Sequence, residues 1–259
     1  CGEQTCAQRL LCTATGRFHT RILPDRFYQP SMTYILHYAP DNASLIIRAA
    51  LELRGLPYRV KLVDRSAQEQ NTAGYRALNP NGLIPVLETP QGPIFETGAI
   101  LLWLADTHGG LGPAPDDPAR ADLLKWLFFI SNTIHPALRM MFYPAKYITG
   151  EHTEALRAGL SSALHQNFIT LDTAAADNPV LFAGSTPTLL ELYTAALLRW
   201  SAIYPVERSK EWFSLTHYPN LHRLCSRLET LPLTQSLHIT EGLGTHPFTD
   251  PHLSNPPIG

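Results

Sequence analysis

The chain has 259 residues, 44% of them hydrophobic, enough to bury a sizeable core in one large or two compact domains. Twenty basic residues against 22 acidic ones give a formal net charge of −2 with no run of like charge, which argues against a general nucleic-acid or anionic-membrane surface. The longest strongly apolar run, residues 99–105, is far short of the roughly 20 residues that a membrane span needs.

Residues 1–31 show no sustained hydrophobic period and hold three of the four cysteines, Cys1, Cys6 and Cys12. Only Cys225 lies in the body, so no disulfide framework can staple the fold, which suits a reducing cytoplasm. Neither CxxC spacing nor a nearby His pair accompanies the early cysteines, and no metal site is expected. Met32, just before the first clear strand, reads as a natural start, which makes residues 1–31 a non-native or disordered extension.

From there the pattern predicts a strand at 34–38, a helix at 45–54 closed by Gly55, and a strand at 58–63, together a βαβ unit. A short helix around 68–77 follows. Ile84-Pro85 stands at the front of a strand at 86–88, where proline is tolerated because no ladder hydrogen bond is needed from it. Pro90-Gln91-Gly92 turns the chain into a returning strand at Ile94-Phe95. Glu96-Thr97-Gly98 then opens a helix, with Thr97 expected at the N-cap and Glu96 before it. This first domain, βαβαββα, spans 32–110, and residues 111–118 read as a linker.

Residues 119–244 read as all-helical. The 119–134 segment carries apolar residues on most faces, as a helix buried between neighbours would. Pro136 is expected to kink that helix or end its first segment. Thr188-Leu189-Leu190-Glu191 is a capping box opening a helix to Trp200, a structural signal. A last helix runs from Tyr218 to about Leu231, and the Pro-rich tail 245–259 either wraps the surface or frays.

The strings LNPNGLIPVLE and FETGAI resemble the glutathione-binding half of the cytosolic glutathione transferases, and the likeness extends over about residues 32–233. It implies a thioredoxin-like α/β domain followed by an all-α domain. Residue by residue, it implies that Ile84 pairs its backbone with the cysteinyl unit of glutathione, that Pro85 is a cis-proline, and that Glu96 and Thr97 hold the γ-glutamyl end. The segment Tyr38-Ala39-Pro40-Asp41-Asn42-Ala43-Ser44-Leu45 looks most like the bacterial beta class, with Ala43 where that class has its cysteine. Alanine cannot form a mixed disulfide, so reductase work through that position is disfavoured. Ser44, Asn42 and backbone N–H groups at the helix start remain as donors to a thiolate.

The string ending Asn132-Thr133-Ile134-His135 resembles the beta-class helix whose histidine faces the glutathione site, and Arg139, Met140, Met141, Phe142 and Tyr143 could line an electrophile pocket. His217, His222, His238, His246 and His252 show no ligand spacing. The resemblance implies a cytoplasmic homodimer using glutathione as co-substrate, with no other cofactor and no nucleic-acid or membrane partner. The implied reaction is attack of the glutathione thiolate on a small hydrophobic electrophile. A non-catalytic glutathione-binding stress or regulatory protein is the first alternative, and a glutathione-dependent peroxidase or reductase the second.

Overall fold

Tyr34-Ile35-Leu36-His37-Tyr38 alternates poorly because it is buried on both faces: it is β1 (Tyr34–Tyr38), an inner strand of a four-stranded sheet. The computed structural model describes residues 33–206 and 211–255, so the expectation for residues 1–31 lies outside them. The order is β2-β1-β3-β4, with β2 (Tyr58–Leu62), β3 (Val86–Thr89) and β4 (Gly92–Phe95). β1 runs parallel to β2 with Tyr34 opposite Tyr58, and antiparallel to β3 with Leu36 opposite Leu87. β3 and β4 form the expected hairpin, Val86 opposite Phe95. His37, almost fully buried on β1, contacts Glu88 Oε1 on β3 at 2.6 Å, a diagonal cross-strand pair.

Between β1 and β2 the chain forms α1 (Ser44–Leu53), with Gly55 just beyond its end at φ 60° as the sequence predicts. The helix is buried from Ser44 to Leu51 because it meets the sheet on one side and later helices on the other. The single helix expected at 68–77 is instead a 3₁₀ turn (Glu69–Asn71) and α2 (Ala73–Leu78). The break is local: Thr72 is extended, and its Oγ1 accepts the Tyr75 N–H as the cap of a new helix.

α3 (Thr97–His108) begins one residue earlier than expected. Glu96, at φ 72°, occupies the cap, and its carbonyl accepts from Ile100 N at 2.9 Å, which makes Thr97 the first helical residue. Positive φ on a glutamate is strained backbone.

Helices follow: α4 (Arg120–Phe129), α5 (His135–Phe142), α6 (Thr153–Asp177), α7 (Pro179–Phe182), α8 (Leu189–Ile203), α9 (Pro219–Glu229) and α10 (Pro232–Glu241). A π-helical turn, Ile130–Ile134, joins α4 to α5 and carries the chain to Pro136 without a sharp break, since a wide turn relaxes the demand for an i→i−4 bond. The buried stripe here is Leu123, Leu127, Ile130 and Ile134, while Phe128 is 54% exposed. Apolar residues on most faces therefore do not make this a helix buried all round.

That description belongs to α8, in which every residue but Ala202 is buried. Its capping box is formed as expected, with Glu191 Oε2 accepting from Thr188 N at 2.8 Å. The helix expected from Tyr218 to about Leu231 is α9, and α10, which the sequence reading did not include, follows it after Leu231 turns extended ahead of Pro232. Beyond them the described part of the tail, to Asn255, wraps the surface: Phe248 and Thr249 N–H groups donate to Glu229 Oε1, and Leu243 and Phe248 are buried.

Buried ion pairs tie the two halves together, Arg48 of α1 to Glu241 of α10 and, at the cleft, Asp41 to Arg199. Asp41, between β1 and α1, accepts from Arg199 of α8 at both oxygens, Nε to Oδ1 at 2.9 Å and Nη2 to Oδ2 at 3.0 Å. Trp200 Nε1 and Tyr204 OH also donate to the carboxylate, at 2.8 and 3.1 Å. Arg199 is fully buried, and its remaining N–H groups donate to the tail carbonyls of Pro247 and His252. Removing one partner of such a pair strands the other in a dry interior. Asp41→Ala is therefore expected to cost about 3–5 kcal/mol, read as a fall in the urea midpoint, whereas an exposed pair such as Lys125 with Asp122 should contribute under about 1 kcal/mol.

Candidate functional site

A cavity of about 900 Å³ opens between the sheet half and the helices α4, α5 and α8. Ile84 and Pro85, joined by a cis peptide bond, lie on its wall just before the first paired residue of β3. The approach to them is braced, because the Leu83 carbonyl accepts from Asn79 Nδ2 at 2.8 Å and from Tyr75 OH at 2.9 Å. Gly82 has φ 61°, and a Cβ there would lie 2.8 Å from the Gln70 carbonyl, so the turn requires glycine.

Glu96 and Thr97 line the same cavity at the start of α3. Glu96 is exposed and Thr97 buried. Across the cleft stands His135, the first residue of α5, whose Nδ1 is 2.8 Å from Tyr193 OH. The Thr97 side chain is a further polar partner of that hydroxyl, so one hydroxyl links the α3 start to the α5 start. Burial pushes the Tyr193 hydroxyl far up, which keeps its proton. Burial, aided by the Arg139 guanidinium, pushes the His135 pKa down to about 4, so the ring is neutral near pH 7.

Asn42 and Ala43 form the floor where α1 begins. Asn42 Oδ1 accepts the Ala43 N–H at 2.7 Å, which leaves Nδ2 as its donor group. The Leu45 and Ile46 N–H groups donate to the carbonyls of Asn42 and Ala43, so backbone donors at this helix start are largely consumed. Ser44 is placed differently from expectation. It is fully buried and absent from the cavity wall; its Oγ donates to the Ala39 carbonyl at 3.1 Å and accepts the Ala39 N–H at 3.3 Å. The hydroxyl braces the loop from below because α1 points that side chain back at the end of β1.

Of the segment after His135, Arg139, Phe142 and Tyr143 line the cavity, while Met141 is buried in the core. Tyr193, Trp200 and Asp41 also reach the wall and were not singled out from the sequence. The signal for Tyr193 was its place two residues after the capping-box Glu191, on a helix too apolar to be a surface one. A second, more open cavity of about 530 Å³ between α10 and the tail contains none of these residues.

A family model described as "Glutathione S-transferase, N-terminal domain" matches residues 43–107, the stretch that supplies the floor and one wall of the cavity. Glutathione S-transferase GST-4.5 of Xanthomonas campestris pv. campestris is 29% identical over 171 residues, covering 64% of this chain and 81% of that one. A sphingomonad glutathione S-transferase solved with glutathione superposes with a TM-score of 0.67 at 25% identity, over 81% of this chain and all of that one. The beta-class glutathione S-transferase of Sphingomonas chungbukensis gives 0.64 at 25% identity, over 78% and 96%. Likeness in sequence through residues 43–107 and likeness in fold over about four fifths of the length lead to one conclusion: residues 43–107 form a glutathione S-transferase N-terminal domain, within a chain that has the glutathione S-transferase fold.

Proposed function

We propose that the chain binds glutathione along the sheet side of the cleft and transfers its thiolate to an electrophile held by α5. The observation that carries this reading is the meeting, in one cavity, of Ile84-Pro85, Glu96-Thr97 and Asn42-Ala43 with His135 opposite. The Ile84 backbone would pair with the cysteinyl unit, and Glu96 and Thr97 would hold the γ-glutamyl ammonium and carboxylate. That geometry delivers the sulfur to the start of α1, where the helix N-terminus favours negative charge. Asn42 Nδ2 is the side-chain donor to the thiolate there. His135, neutral, acts through Tyr193 and Thr97 and fixes the far wall.

Ala43 is compatible with a binder that holds glutathione without turnover, and this is the second reading. A cysteine-based reductase or peroxidase is disfavoured: Cys225, the one cysteine among the described residues, is fully buried away from the cavity, and burial pushes its thiol up. We further propose a two-fold homodimer, the commonest arrangement of soluble homo-oligomers. Light scattering at micromolar concentration is expected to give twice the chain mass, and a monomer mass would reject it.

Glu96→Ala removes a charged contact to glutathione, a loss of about 1.5–3 kcal/mol of binding with little change in unfolding, since Glu96 is exposed. Calorimetric titration with glutathione measures it, and unchanged affinity would refute the assignment. Thr97→Ala is expected to weaken glutathione as well and to cut the link to Tyr193.

Ultraviolet thiolate absorbance of the complex against pH separates transferase from passive binder. In the unmodified protein the bound thiol is expected to titrate below its free value, and in Asn42→Ala to titrate higher with kcat/KM reduced. Ser44→Ala should act on stability instead, by about 1–3 kcal/mol, because it leaves the buried Ala39 backbone groups unpaired. An unshifted titration together with no turnover would favour the binder.

A further inference from the structure

Resting on the transferase reading of the same cleft, we infer that the electrophile is itself an anion, a carboxylate on a planar aromatic or unsaturated body, met by Arg139 and Lys146. Both residues line the same cavity as Glu96 and Thr97, Arg139 from α5 and Lys146 from the 3₁₀ turn that follows it. Arg139 follows His135 by one helical turn and so shares its face. Neither Arg139 nor Lys146 forms an ion pair among the described residues, whereas Arg48, Arg120, Arg199 and Arg227 each meet a carboxylate. Arg65, at the cavity rim, is likewise without an acidic partner and donates to Tyr143 OH at 3.4 Å.

Among the described residues, the cavity's acids do not neutralise this wall. Asp41 is engaged on both oxygens by Arg199, and Glu96 sits at the start of α3. The cations rest on tyrosine rings instead: Arg139 lies 5.6 Å from the Tyr147 ring centre and also donates to that hydroxyl, and Lys146 lies 5.2 Å from the Tyr143 ring centre. Tyr143 and Tyr147 are 40% and 44% exposed and line the cavity, so they offer flat apolar faces next to free positive charge. A purely apolar ligand would leave those charges unanswered and lose part of their hydration on docking. An anionic aromatic one answers both features.

The test uses a chlorodinitrobenzoate and its methyl ester, which share ring and leaving group and differ in the carboxylate. The glutathione thiolate, its proton released to solvent, attacks the ring carbon bearing chlorine; a C–S bond forms, the C–Cl bond breaks, and chloride departs with the bonding pair. The two glutathione conjugates are prepared separately and their affinities measured by calorimetry, and kcat/KM for each chloride is divided by its uncatalysed rate with glutathione. The acid conjugate is expected to bind on the order of tenfold tighter than the ester, a value discounted for solvent exposure of the cations. Arg139→Gln and Lys146→Gln should each shrink the acid-to-ester ratio, the double variant should bring it near one, and added salt should reduce it. Lys146 is exposed, so its variant keeps the fold.

A ratio of one or less in the unmodified protein overturns the inference, as does a ratio unmoved in the double variant. Equal weakening of glutathione and of both conjugates in the variants also overturns it, by assigning the cations to the glycyl carboxylate of glutathione. No turnover of either chloride, with the preference among conjugates intact, sinks the transferase reading and upholds the anion-reading wall.

Discussion

The buried pair of Asp41 and Arg199 is the constraint on which the rest of the cleft depends. Arg199 stands on the most buried helix of the molecule and Asp41 in the loop between the first strand and first helix, so one bidentate contact sets the loop against the helical half. Asp41 has φ 47°, a left-handed conformation that aspartate tolerates better than most residues but does not prefer. Four donated hydrogen bonds hold it there. The next two residues are Asn42 and Ala43, the cavity floor. A charge buried this deeply cannot be released singly without a large penalty, so the floor and the far wall keep a fixed relation.

The same economy of contacts appears across the cleft. Tyr193 is one hydroxyl between Thr97 and His135, and its shared position makes the orientation of the imidazole depend on the start of α3. The cavity thus has two struts from α8, Arg199 behind the Asn42-Ala43 floor and Tyr193 at the start of α3. Neither strut offers a reactive thiol, and in the function proposed above Ala43 leaves polarisation of the substrate sulfur to Asn42 and the helix terminus. The chemistry such a floor favours is stabilisation of a thiolate supplied by the ligand, not exchange through a protein sulfur.

Much of this was legible in the sequence because it is locally encoded. β1, the hairpin and the capping box at Thr188 follow from alternation, proline placement and hydroxyl-to-acid spacing, each decided within a few residues. The cap of α3 was misplaced by one residue because a glutamate at positive φ overrides the propensity of Thr97 for that position, and such strain is set by tertiary packing. Ser44 illustrates the limit for the site: type and position suggested a donor to sulfur, but which side of the helix start faces the cleft depends on how α1 meets β1. Asp41 and Arg199, 158 positions apart, give no sequence pattern at all until the fold brings them together. Phe128 was unreadable for a related reason, since an apolar run cannot announce which of its faces lacks a neighbour.

The π turn at Ile130–Ile134 has an evolutionary reading. A π turn holds one residue more than the α-helical turn it replaces, and each residue advances a helix by about 100°. Everything after the turn, including His135 and Arg139, is therefore dialled round the helix axis relative to α4, whose buried stripe anchors the half. Loss of that single residue would rotate a different set of side chains toward the cleft and leave the sheet half untouched. A one-codon insertion or deletion is then a discrete step by which lineages built on this scaffold can exchange the cavity wall on the α5 side while inheriting the sheet half unchanged.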